Sequence, residues 1–287
     1  MRGKLLRLEQ RYDRRFLDSD PVGIVRGFDE PADQEIVGIL AAGLAYGRVE
    51  SIRASLKRIL AILGPSPRRF VEAFDARRDG KRLDGFVHRF TRGRDVARFL
   101  GLLRGAIERC GSLEAFFIEG DPDPAGPTLE GAMDAFGRRL FALEGDAVAA
   151  RERAGARWLL PVPENGSVCK RHCLYLRWMI RRDDGIDLGA WPGVSAARLV
   201  VPLDVHMQRV ASAFRWTRRR SPTWAMALEV TEALRAVDPD DPARYDFALT
   251  RLGILGLVRA RGDRVGLRRF LEVLDDAESE RWNASAG

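Results

Sequence analysis

The chain has 287 residues, 46% hydrophobic and 31% charged, the profile of a soluble globular protein that needs no metal or disulfide staples. Lys+Arg total 48 against 41 Asp+Glu, a net charge of +7. Only Lys4, Lys57, Lys81 and Lys170 supply an amine, since every other cation is arginine. No apolar run is long enough for a membrane span, and the charged N-terminus has no signal-peptide core. Cys110, Cys169 and Cys173 suit a reducing cytoplasm. They are too few for a four-ligand zinc or iron–sulfur site, and no metal or cofactor is expected.

Helical patterns follow one another along the chain. Asp33 reads as an N-cap, with Ile36, Val37, Leu40, Ala41 and Leu44 as the apolar stripe behind it. Residues 43–47 break the pattern, and Ile52, Leu56, Ile59, Leu60 and Leu63 begin a second helix that stops at residues 64–67. Residues 94–110 give a third, residues 120–127 a loop by composition, and residues 129–143 a further helix. A turn at residues 165–167 precedes a helix over 168–182, which residues 183–187 end. Residues 198–203 are the best strand candidate and read equally well as extended coil. Asp204 caps the next helix, and residues 223–237 and 242–255 give two more. The expectation is an all-α chain of roughly ten helices.

Charge is unevenly spread. Residues 48–104 carry 15 basic and 6 acidic groups, and residues 151–220 carry 14 and 6. The acidic blocks lie at 105–150, with 3 and 9, and at 221–287, with 9 and 12. Two basic blocks suit a groove that meets a polyanion. Solvated helix faces would give the same counts.

The most informative stretch is Pro202-Leu-Asp-Val-His-Met-Gln-Arg-Val210. Asp204 opens a helix after an extended, proline-containing entry, where its carboxylate accepts backbone N–H bonds and the helix dipole favours its charge. By itself that is an ordinary N-cap. The segment resembles the Pro-Val-Asp-Thr-His-like signature of the helix-hairpin-helix DNA glycosylase superfamily, whose aspartate is catalytic and lines a cleft between two helical domains. Lys170, opening the helix of residues 169–180, falls where many members place the attacking lysine. The spacing from Lys170 to Asp204 resembles that of the archaeal 8-oxoguanine glycosylase branch. A fuller set of motifs also resembles an uncharacterised bacterial family of unknown function. These are Ala41-Ala-Gly-Leu-Ala-Tyr-Gly47, Gly85-Phe-Val-His-Arg-Phe90, Leu176-Arg-Trp-Met179, Pro202-Leu-Asp-Val-His206 and Tyr245-Asp-Phe-Ala-Leu249.

The resemblance has departures. Residues 161–168 keep a Pro and an Asn-Gly turn but not the Gly-x-Gly of the usual hairpin. Trp191-Pro-Gly-Val-Ser-Ala-Ala197 mimics the hairpin better by letters, and would offer Arg198 in place of a lysine. The cysteine cluster that follows the aspartate in some members is missing.

The resemblance implies two helical domains, residues 33–200 with Lys170, and residues 1–32 plus 201–287. It also implies removal of an oxidised purine such as 8-oxoguanine through a lysine Schiff base assisted by Asp204. The partner would be double-stranded DNA with a damaged base, bound by a monomer in the cytoplasm at the nucleoid. Arg171, His172 and Arg177 are the cations that would tune the amine. A flipped base needs aromatic walls, for which Trp178, Trp158, Phe90, Tyr46 and Trp216 are candidates; aromatics at helical spacing also simply pack in cores. Asn165, Gly166, Ser167, Arg171, Arg177 and Arg209 are candidates for DNA phosphates, and His206 for bracing the helix start. A non-catalytic nucleic-acid binder, or an enzyme of other specificity on the same scaffold, fits the sequence too. The lyase reading requires the Lys170 amine and the Asp204 carboxylate to lie within several ångströms of each other, facing one basic cleft.

Overall fold

The computed structural model describes residues 1–144, 150–269 and 271–272. Those residues are mostly helical, in keeping with the expected all-α class. The order is α1 (Arg2–Arg11), α2 (Val22–Val25), α3 (Pro31–Gly43), α4 (Val49–Leu63), α5 (Pro67–Glu72), a hairpin of β1 (Val87–His88) and β2 (Thr91–Arg92), α6 (Gly93–Cys110), α7 (Leu113–Glu119), α8 (Glu130–Ala142), α9 (Ala150–Leu159), α10 (Lys170–Ile180), α11 (Val205–Phe214), α12 (Trp224–Arg235) and α13 (Asp246–Ile254). Residues 198–203 take the coil alternative, apart from a short 3-10 turn that ends at Arg198.

The centre is the pair α3 and α10. Every α3 residue from Ile36 to Gly43 is buried, so the helix is enclosed on all sides and shows no single apolar stripe. Gly38 lets α10 approach closely: a Cβ there would lie 2.9 Å from Met179 Cε and 3.3 Å from the Tyr175 ring. On α10, His172, Cys173 and all of Tyr175 to Ile180 are buried. α11 packs along α13, which also carries α1. α6, the longest helix, packs on α5, α7 and α9. One hydrophobic cluster runs through the chain from Leu5 to Leu267.

Asp33 does not cap α3. Pro31 occupies the first turn and Glu30 the cap position, leaving the Asp33 carboxylate free to accept the Arg68 backbone N–H at 2.7 Å in the first turn of α5. Trp191 is buried, and its indole N–H donates to Glu35 Oε1 at 2.8 Å. Arg198 is engaged by Asp121 at 2.6 Å and by the Gly126 carbonyl. Of the hairpin-like letters of residues 191–197, Trp191 and Val194 are buried while Pro192, Gly193 and Ser195 are exposed, and the cation that follows them, Arg198, is already paired.

Candidate active site

Lys170 is the first residue of α10, and Cys169 before it has φ 55°, a left-handed conformation that costs a non-glycine residue about 1–2 kcal/mol. Two local bonds support it: the Cys169 N–H donates to Ser167 Oγ at 3.1 Å and its thiol to the Ser167 carbonyl at 3.3 Å. Burial pushes that thiol up to about 12, so it is a proton donor and not a thiolate. The short 3-10 turn at Pro163–Asn165 and Gly166 at φ 70° complete the sharp entry into α10.

Asp204 caps α11. Its Oδ1 accepts the backbone N–H groups of His206 and Met207, each at 2.8 Å. Its Oδ2 stands 3.6 Å from Lys170 Nζ. The side chains are 35% exposed for the lysine and 18% for the aspartate. The pair is therefore ionic, held by two helix starts, and open to solvent. One oxygen is spent on the fold while the other faces the amine, so the N-cap reading and the catalytic reading use different atoms of one carboxylate.

His206 enters this arrangement through its backbone N–H and through packing on Gly253 of α13. A Cβ at Gly253 would lie 2.8 Å from His206 Cβ and 3.0 Å from its Cα. Buried Nδ1 of His206 has no hydrogen-bond partner among the described residues.

Behind the pair lies a charge network that charge counting alone does not separate from surface arginines. Arg177, 2% exposed, donates to Asp246 Oδ2 and lies 3.1 Å from Asp187. Arg181 bonds the other oxygen of Asp187 and reaches Asp184 at 2.9 Å and Asp241 at 2.8 Å. Burial alone would lower the pKa of Arg177, but the charges of Asp187 and Asp246 outweigh it and raise its pKa. Burial lifts Asp246 to about 6 against the opposing charge of Arg177, and Asp204 adds to the lift. Asp246 Oδ1 is buried without a partner among the described residues. The sequence held two signals for this network: the Tyr245-Asp246 motif, and the aspartates of residues 183–187 that otherwise only end α10.

Several sequence-predicted roles change. Arg177 cannot meet a DNA phosphate, because it is buried and paired. His172 is buried and lowered to about 4 by that burial. It is neutral, so of the three cations proposed to tune the amine, one is uncharged and Arg177 is neutralised by its partners. Trp178 is wholly buried in the core and cannot receive a flipped base. Trp216 stacks on Phe214 with centroids 4.5 Å apart, at the far end of α11 from Asp204, about 15 Å along ten residues. In the turn before α10, the amides of Asn165 and Gly166 donate to the Val162 and Pro163 carbonyls, and Ser167 Oγ is taken by Cys169, so this turn is less free for a phosphate than its letters suggest. Arg209 is half-buried on α11.

The other three aromatic candidates come together. Tyr46, Phe90 and Trp158 have mutual centroid distances of 6.1–6.5 Å. Arg171 lies over Tyr46 at 5.1 Å and Trp158 at 4.9 Å, and donates to the Gly43 carbonyl. Arg171 is thus committed to the rings and to α3, not held out toward a backbone phosphate.

Residues 20–255 match a family described as a protein of unknown function (DUF2400). The chain belongs to that family. No curated protein and no solved structure matches it. No helix among the described residues is long and apolar enough to cross a membrane, and no group of His, Cys, Asp or Glu among them forms a metal-binding cluster. The family match spans Tyr46, Lys170, Asp204 and Asp246 alike.

Proposed function

We propose that the protein is a DNA base-excision glycosylase with lyase activity, acting on an oxidised purine such as 8-oxoguanine in duplex DNA. The observation that carries this reading is the 3.6 Å approach of Lys170 Nζ to Asp204 Oδ2. The two residues come from helices separated in sequence, each at a first turn and each partly exposed. The reading includes a helix-hairpin-helix glycosylase architecture with a cleft between two helical domains, and a monomer at the nucleoid.

The chemistry follows from the two groups. Breaking the N-glycosidic bond sends its electron pair to the departing base and leaves positive charge on the sugar. The Asp204 carboxylate stabilises that charge. A proton leaves the Lys170 ammonium for the base, and the freed Nζ lone pair bonds to C1′. Opening of the sugar ring gives a protonated Schiff base, and β-elimination then expels the 3′ phosphate. Arginine cannot replace the lysine, because it stays protonated.

Incubation with an 8-oxoguanine duplex and borohydride is expected to trap a covalent adduct that Lys170→Gln abolishes. An adduct that survives Lys170→Gln, or none at all, overturns the lyase role. Full excision by Asp204→Asn removes Asp204 from catalysis. A second reading has its own support, since 3.6 Å between amine and carboxylate is also the geometry of a structural ion pair. On that reading the protein binds nucleic acid with a steep salt dependence and no turnover.

A further inference from the structure

The β1–β2 hairpin has no part in the Lys170–Asp204 pair, yet its tip carries the most exposed large aromatic side chain of the described residues. Phe90 is 69% exposed and Trp158 47%. Their neighbour Tyr46 lies nearly parallel to Phe90, at 8° between planes, while Trp158 stands across both at 88° and 80°.

This group is held in place. Tyr46 Oη bonds the His88 carbonyl at 2.9 Å and Thr91 Oγ1 at 2.7 Å, one on each strand of the hairpin. His88, buried below, bridges Ser55 Oγ and the Tyr46 carbonyl. Arg89 turns the hairpin at φ 51° and lies 5.6 Å from the Phe90 centroid. Arg171, which follows Lys170 directly, is packed against the other two rings.

Exposed rings flanked by guanidinium groups discriminate among ligands. A cationic ligand would meet Arg89 and Arg171 already on the ring faces. An apolar segment would give the exposed Arg89 and Arg92 no charge partner. A nucleotide offers a planar base to the rings and a phosphate to the cations. An open, surface-facing ring also favours a base that is already out of a duplex. We infer that Tyr46, Phe90 and Trp158 form a stacking platform for an unpaired nucleobase of single-stranded DNA, with Arg89 and Arg92 facing its phosphates. The inference deepens the proposed function and rests on reading the neighbouring site as one that acts on DNA.

The test uses the full chain, fluorescein-labelled oligothymidylate, and a blunt duplex of the same length, read by anisotropy across a salt series. The single strand is expected to bind through the rings, and the duplex is the comparison for the neighbouring site. Phe90→Ala is expected to weaken single-strand binding by about 5- to 150-fold, the range for losing one stacked base. Phe90→Tyr should bind like wild type, and the salt slope of Phe90→Ala should be unchanged because no phosphate contact is lost. Phe90 is exposed, so an unchanged unfolding curve checks that the variant is intact. Equal binding by Phe90→Ala and wild type overturns the platform, as does a wild type that binds no single strand. A wild-type dimer that Phe90→Ala dissolves also overturns it, by assigning the rings to a second copy. The borohydride adduct is scored separately: stacking without an adduct sustains the platform and defeats only the catalytic reading, and an adduct without any effect of Phe90→Ala does the reverse.

Discussion

Arg177→Met tests the network behind the site. The substitution fills most of the arginine volume and removes its charge. Asp187 keeps Arg181 on its other oxygen, so its charge stays compensated. Asp246 loses its only described partner, and its Oδ1 has none already. Breaking a buried pair so that one charge is stranded costs about 3–5 kcal/mol, a large part of the about 5–15 kcal/mol that holds an ordinary domain together. Adding Asp246→Asn removes the stranded charge and should return about 2 kcal/mol of that loss. The pH dependence has a fixed sign. Asp246 titrates near 6 in the fold, above its unfolded range, so its contribution is fully present below the unfolded value and is lost as pH rises through the folded one. Without Arg177 that folded value rises further. The deficit of Arg177→Met should therefore shrink on going from neutral pH toward pH 5, by at most about 1.4 kcal/mol per unit. Urea unfolding followed by circular dichroism at several pH values reads all three effects. A deficit under about 1 kcal/mol, no recovery with Asp246→Asn, or a deficit that grows in acid would refute the reasoning.

Two further substitutions separate holding the site from doing its chemistry. Asp204→Asn keeps an N-cap acceptor and should leave the urea midpoint nearly unchanged, whereas Asp204→Ala should cost about 1 kcal/mol; both should lose excision, and equal stability losses would contradict the split use of the two carboxylate oxygens. Gly253→Ala places a Cβ against the first turn of α11, an overpacking worth about 1–3 kcal/mol against a helix-propensity gain of about 1 kcal/mol. It should reduce adduct formation more than DNA binding, because it displaces the turn that Asp204 caps, and undiminished trapping would show that the α11–α13 contact does not position the site.

The sequence made the helical segments legible where the apolar stripes were long. α6 and α4 follow their periodicity closely, and Thr223 and Asp204 cap helices as their chemistry suggests. Other features escaped for physical reasons. Strands of two residues are too short to show alternation, so the hairpin that carries Phe90 was visible only as a motif. The seven residues of α7 are too few for a helical period. α10 is buried almost all round, so its Trp178 and Arg177 could not be told from groups on a wetted face. Arginine reads as surface charge until the aspartates that neutralise it are placed in space, and Asp187 and Asp246 lie 10 and 69 residues away. Asp33 looked like the cap of its own helix and serves α5 instead, because Pro31 starts α3 earlier. Lys170 and Asp204 were legible for a different reason. Two helix-opening residues with complementary chemistry could be named from local sequence and a family resemblance, and only their separation required the fold.

That separation leads to the most direct measurement, which is borohydride trapping on an 8-oxoguanine duplex with wild type, Lys170→Gln and Lys170→Arg side by side. A covalent adduct with wild type alone, mapped to Lys170 by mass spectrometry, is the expected result. An adduct mapped to Lys4, Lys57 or Lys81, or equal trapping by Lys170→Gln, would contradict the account.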